Sequence, residues 1–277
     1  MRATVEAVRL QGIALVGVVE RNAYLVKRYG FWELAFFAWT VANTLTVVFI
    51  AKGIDATGGT LDVERETASL LIGAVIWSYL GIVFETLTET VAWERWEGTI
   101  EYTFMAPLAR SVHLLGMGAF AVLYGVLRTA ALFAVVALFF GLAFPNADFA
   151  AALVLLAVAS VSFVGVGMVT AILPLISPEK GAQLGFIAQG MLLVVSGVYY
   201  PVDVMPGWMQ AIATISPATY ALHGIRATLL NGAGLGDVWG DLWPLLLLGA
   251  ISIPLGLAVF RAGERYAKRN GKLKRSG

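Results

Sequence analysis

Glu85, Glu89 and Arg128 are ionisable residues standing inside long apolar runs. A charge in hydrocarbon is costly, so such a group faces protein or water and marks a place of interest. Glu85 and Glu89 are one helical turn apart near the inner end of the second apolar run. Two readings fit them: they snorkel to the interface, or they pair with a cation of a neighbouring polar segment. Arg128 falls near the middle of the third run, where snorkelling is hard, so a buried structural partner is expected ahead of contact with a substrate. A relay through all three would be the chemistry of ion-coupled transport. Other chemistry is poorly supplied. The chain has no Cys and two His, His113 and His223, which removes thiolates, disulfides and Cys-ligated metals and argues against any metal site. No catalytic residues are assigned. No G-x-x-x-x-G-K-[ST] loop occurs, so nucleotide chemistry would need another polypeptide.

The elements that hold these residues follow from composition. Of 277 residues, 59% are hydrophobic and 13% charged, against about 25% charged in an ordinary soluble domain. A hydrocarbon core about 30 Å thick needs roughly 20 apolar helical residues to cross it. Runs of that kind fall at about 31–51, 68–90, 113–142, 148–175, 182–200 and 242–261. The expected fold is therefore an all-α membrane protein with six transmembrane helices. Residues 1–30 mix Arg2, Arg9, Arg21, Lys27 and Arg28 with apolar positions at helical spacing, as in an amphipathic interfacial helix. The domains expected are that helix, a membrane domain over 31–265, and a basic tail over 266–277. No removable signal peptide is read at the N-terminus.

Lys and Arg accumulate on the cytoplasmic side. With both termini inside, eight Lys and Arg lie in inner segments before the tail and seven in it, against Lys52, Arg65 and Arg226 outside. Both termini are therefore expected in the cytoplasm of a multi-pass inner (plasma) membrane protein, with the lipid bilayer as its surroundings. A net charge of +1 gives no field for nucleic acid.

Two polar segments stand out. Residues 91–110 include ERWEGTIEYTFMAPLAR. Glu94, Glu97 and Glu101 would share one helical face and Trp96, Ile100, Phe104 and Leu108 the other, with Gly98 as a flexible point and Pro107 near the end. This is either an acidic docking surface for a basic groove on a soluble partner or a solvated interfacial helix. Residues 201–225 follow Gly197 and Tyr200. Pro201 and Pro206 should break the fifth helix, and Trp208 opens a short apolar helix that ends at Ser216-Pro217. That helix lies on the outer surface or re-enters the membrane under a cover of protein.

EGTIEYTFMAPLAR resembles the E-x-G-T-x-E-x-x-x-x-x-P-x-x-R segment of ABC-2 type transporter permeases. SGVYYPVDVMPGWMQAIATISPATYALHGIR resembles that family's S-G-x-x-x-P-x-x-x-x-P-x-W stretch, followed by P-x-x-Y and an Arg. The resemblance implies a six-span permease that pairs with itself or a sister chain, a homodimer being expected. It also implies docking to two copies of an ABC ATPase subunit that binds the ATP and Mg. Carried over by position, Glu94, Glu97, Gly98, Thr99, Glu101, Pro107 and Arg110 would form the ATPase-facing coupling helix. Gly197, Tyr200, Pro201, Pro206, Trp208, Pro217 and Tyr220 would shape a re-entrant outer gate. The implied function is export of hydrophobic or amphipathic compounds, drug-like or lipid-like. Export of lipid-linked polysaccharide and ion-coupled secondary transport are the alternatives.

Overall fold

A backbone in hydrocarbon must satisfy its own polar groups, and long apolar runs without breakers do so as helices. In a computed structural model, which describes residues 2–56, 63–141 and 144–271, every regular element is helical. The helices are α1 (Arg2–Arg28), α2 (Gly30–Ala56), α3 (Val63–Glu97), α4 (Ile100–Met105), α5 (Arg110–Phe140) and α6 (Phe149–Thr170). They continue with α7 (Ile172–Ile176), α8 (Gly181–Val195), α9 (Gly207–Ala213), α10 (Pro217–Asn231) and α11 (Trp239–Arg269), and a 3-10 turn at Val202–Val204 precedes α9. Residues 57–62 and the end of the expected basic tail lie outside the described residues.

Five helical stretches are long and apolar enough to cross a membrane: Gly30–Ile50, Arg65–Glu97, Arg110–Phe140, Phe149–Ile176 and Trp239–Arg269. The expected fifth span, 182–200, is instead the 15-residue α8. It is about 22 Å long at 1.5 Å per residue, short of the hydrocarbon core. Its end is not set by the prolines either. The helix stops at Val195, and Gly197 turns the chain at φ 69°, a conformation open to glycine.

The longest helix, α3, is also the axis of the core. Tyr79, Leu80, Val83, Phe84 and Leu87 along it are buried between α5, α6 and α10. By contrast α2 turns Phe31, Trp32, Leu34, Phe36 and Trp39 outward, an apolar face that suits lipid.

The most extensively packed helix pair is α6 with α11. Gly165 on α6 lies where a side chain would run into Ser252, and Gly256 lies against the Gly165 carbonyl. Ser162 Oγ donates to the Leu245 carbonyl at 2.9 Å, and Ser252 Oγ to the Ser162 carbonyl at 3.2 Å. Small residues bring membrane helices within backbone contact because lipid offers no hydrophobic drive to do so.

Candidate functional site

Three polar regions interrupt this apolar body: an elbow at each end of α3 and a seam between them. The first elbow joins α3 to α5. Its helix runs on through 91–97, where the sequence reading began a separate coupling helix, and breaks only at Gly98, whose φ is 75°. The single face drawn through Glu94, Glu97 and Glu101 does not exist. Glu97 and Glu101 are exposed on either side of the break, whereas Glu94 turns inward and is 2% exposed. There it pairs with Arg21 of α1 at 2.5 Å, with His113 Nε2 of α5 at 3.7 Å. Thr99 Oγ1 reaches the Glu94 carbonyl at 3.5 Å. Ile100 is buried and Phe104 and Leu108 half-buried, but Trp96 faces outward.

Pro107 is exposed, and Ala106 before it is extended, as its neighbour's ring demands. Arg110 closes the elbow. Its Nη1 and Nη2 donate to the Thr103 and Phe104 carbonyls at 2.9 and 2.7 Å, taking the orphan acceptors at the end of α4. Its Nε donates to Glu264 of α11 at 3.2 Å, and its guanidinium stacks 4.1 Å over Phe104. Arg110 therefore holds the elbow in shape, and the charged side chains the elbow offers outward are Glu97 and Glu101. Arg21, His113 and Glu264 were missed in the sequence, because a lone ionisable residue on a distant helix carries no local sign of its partner.

The second elbow joins α8 to α10. Ser196 Oγ pairs with Ser216 Oγ at 2.8 Å, closing its base. Tyr200 donates to the Val194 carbonyl at 2.5 Å and Tyr220 to the Thr214 carbonyl at 2.7 Å. Pro201 and Pro206 keep the connection extended on either side of the 3-10 turn, Pro206 preceding α9. Trp208 is exposed, and Pro217 opens α10 at the position where a helix has no use for an N–H. Beside this elbow lies a cleft of about 240 Å³ walled by Arg65, Glu66, Ser69, His223, Arg226 and Asn231. His223 Nδ1 meets the two carboxylate oxygens of Asp241 at 2.8 and 3.0 Å, a hydrogen bond that holds the imidazole pKa above its ordinary value.

The seam runs between the elbows. Arg128 has the structural partner expected for it. Its Nη1 lies 3.7 Å from Glu33 and 3.3 Å from the Tyr124 hydroxyl, its Nη2 donates to Thr40 Oγ1 at 3.2 Å, and Tyr124 donates to Glu33. Because α3 continues for eight residues beyond Glu89, Glu85 and Glu89 stand about 18 and 12 Å along the helix from Glu97. They stand farther from the end of the helix than the sequence reading put them. Gln189 of α8 and Arg128, rather than a cation of the elbow, are the polar groups whose influence reaches Glu85. Both acids border a narrow crevice with Thr88, Gly185 and Phe186.

The stretch holding both elbows and the seam coincides with a known family. The chain belongs to the ABC-2 type transporter family, whose family model matches residues 22–230. A probable multidrug ABC transporter permease of Escherichia coli (strain K12), YbhR, is 29% identical over 187 residues, 66% of this chain and 49% of that protein. The linearmycin resistance permease LnrN of Bacillus subtilis (strain 168) is 34% identical over 113 residues, 41% of this chain and 29% of that protein. The daunorubicin resistance permease DrrB1 of Streptomyces coeruleorubidus is 32% identical over 84 residues, 30% of each chain. The chain thus spans half or less of the length of these relatives.

Proposed function

We propose that the chain is the membrane-spanning permease subunit of an ATP-driven ABC exporter that moves hydrophobic or amphipathic compounds out of the cell. Two ABC ATPase subunits carry the ATP and Mg, and a second copy of this chain completes the permease. Both termini lie in the cytoplasm, so the α3–α5 elbow faces the ATPase and acts as the coupling helix, and the α8–α10 elbow is the re-entrant outer gate. The observation that carries the reading is the break at Gly98. It leaves Glu97 and Glu101 exposed at the end of a helix 35 residues long, where a push from a soluble partner reaches the whole membrane domain. The drug-resistance names of the relatives agree with a drug-like cargo, and the apolar spans agree with an amphipathic one.

The test is co-purification of tagged permease with candidate ATPases in lipid, using the parent and Glu97→Lys/Glu101→Lys. The reading expects an ATPase to be retained by the parent and released by the charge reversal. An ATPase held equally by both chains refutes docking through this elbow, and a stable permease that retains none refutes the exporter. The seam favours a second reading, ion-coupled transport through Glu85, Glu89 and Arg128. Proton flux that stops with Glu85→Gln and needs no ATPase would establish it in place of the first.

A further inference from the structure

Arg226, on α10, has a role that neither elbow's motif assigns. Its Nη1 donates to the Gly197 carbonyl at 2.9 Å, its Nη2 to the Val198 carbonyl at 2.5 Å, and its Nε to the Ser69 carbonyl at 3.3 Å. Two of these acceptors belong to the elbow just beyond α8 and the third to α3. Carbonyls past the end of a helix lack helical partners and carry the negative end of its dipole, which suits a cation. Gly73 of α3 completes the arrangement. Any side chain there would enter the space of the Val198 carbonyl and the Arg226 guanidinium, so the contact requires glycine. No ion pair to Arg226 occurs among the described residues. Its charge is held by peptide dipoles, with Glu66 the acid whose field reaches it.

A planar guanidinium can bridge three carbonyls set in a fork, which an ammonium cannot do. The bridge fixes the elbow to the Ser69–Gly73 end of α3. The opposite end of the same unbroken helix is Glu97, at the first elbow. We propose that Arg226 is the positioning residue that makes the α8–α10 elbow follow α3, so that displacement at the Gly98 break reaches the far gate. This inference rests on the exporter reading. Arg226 acts through backbone and needs no contact with cargo.

The chain has no Cys, so single cysteines carry a bimane label without background. Labels at Val204 on the elbow and at Trp93 on α3, both exposed, are followed in the permease–ATPase complex in nanodiscs, with and without ATP and vanadate. In the parent, nucleotide is expected to change the emission of both. In Arg226→Gln the Trp93 change should persist while the Val204 change falls by at least half, and Arg226→Lys, which keeps the charge but loses the fork, should show the same split. The persisting Trp93 response shows that the variant is folded, and if Arg226→Gln does not assemble, Arg226→Lys decides alone. A full Val204 response without the guanidinium overturns the proposal and leaves the exporter reading standing. So does a parent in which Trp93 responds and Val204 does not. A parent in which neither label responds overturns both.

Discussion

Removing Arg21 should expose how strongly α1 is clamped to the rest of the protein. Glu94 is 2% exposed, and its Oε2 has no hydrogen-bond partner. Arg21 meets the other oxygen at 2.5 Å, and His113 stands 3.7 Å away. Breaking a buried pair by deleting one partner typically costs about 3–5 kcal/mol, because the remaining charge is left without compensation. The Arg21 side chain is 40% exposed, so water screens part of the pair and the low end, about 3 kcal/mol or less, is expected. Arg21→Ala/Glu94→Gln removes the stranded charge as well and should recover most of that loss, giving a double-mutant coupling of about 2 kcal/mol. The assay is unfolding of the purified chain in mixed micelles by a graded denaturant, monitored through helix content for all four members of the cycle. The reasoning is refuted if Arg21→Ala alone is no less stable than the double variant, for then Glu94 is not a desolvated charge.

The His223–Asp241 clasp predicts a pH dependence confined to the α10–α11 junction. Because the folded imidazole pKa is raised, its stabilisation is complete below the ordinary value of about 6.5 and is lost as pH rises through the folded value; thermal midpoints of parent and His223→Gln should therefore converge at alkaline pH. Gly165→Leu should separate α6 from α11 and cost about 1–3 kcal/mol or more as overpacking, read as lowered thermal stability in detergent, with Ser252→Gly giving partial rescue. An unchanged melting temperature in Gly165→Leu would show that the two helices do not meet there.

Much of the architecture was legible because a membrane enforces it: all six apolar runs fall on helices, and five of those are long enough to span. What escaped was tertiary. The face drawn through Glu94, Glu97 and Glu101 assumed that the helix ended at about residue 90, but Leu87, Val91 and Glu94 stay buried along its last turns, and that packing carries the helix to Glu97. The same extension leaves Glu85 and Glu89 well inside α3 rather than near its end. Arg128 was readable as needing a partner, yet Glu33 and Thr40 lie 95 and 88 positions earlier in the chain, too far for any spacing rule. Tyr79 and Phe84 are buried in the core, where Tyr79 pairs with Ser160. Amphipathic spacing cannot tell lipid from protein as the neighbour of an apolar face.

The Arg128 cluster bears on the order in which the protein is made. A lone arginine at the middle of a helix raises the cost of membrane insertion by about 2.5–3.5 kcal/mol, and α5 carries one. Synthesis proceeds from the N-terminus, so α2 is delivered to the bilayer with Glu33 and Thr40 before α5 leaves the ribosome. The carboxylate is already waiting when the guanidinium arrives, and α5 can enter as half of a pair. A chain whose α2 lacked Glu33 would meet its difficulty during birth rather than at work, as α5 lingering at the insertion machinery and as precursor open to proteolysis.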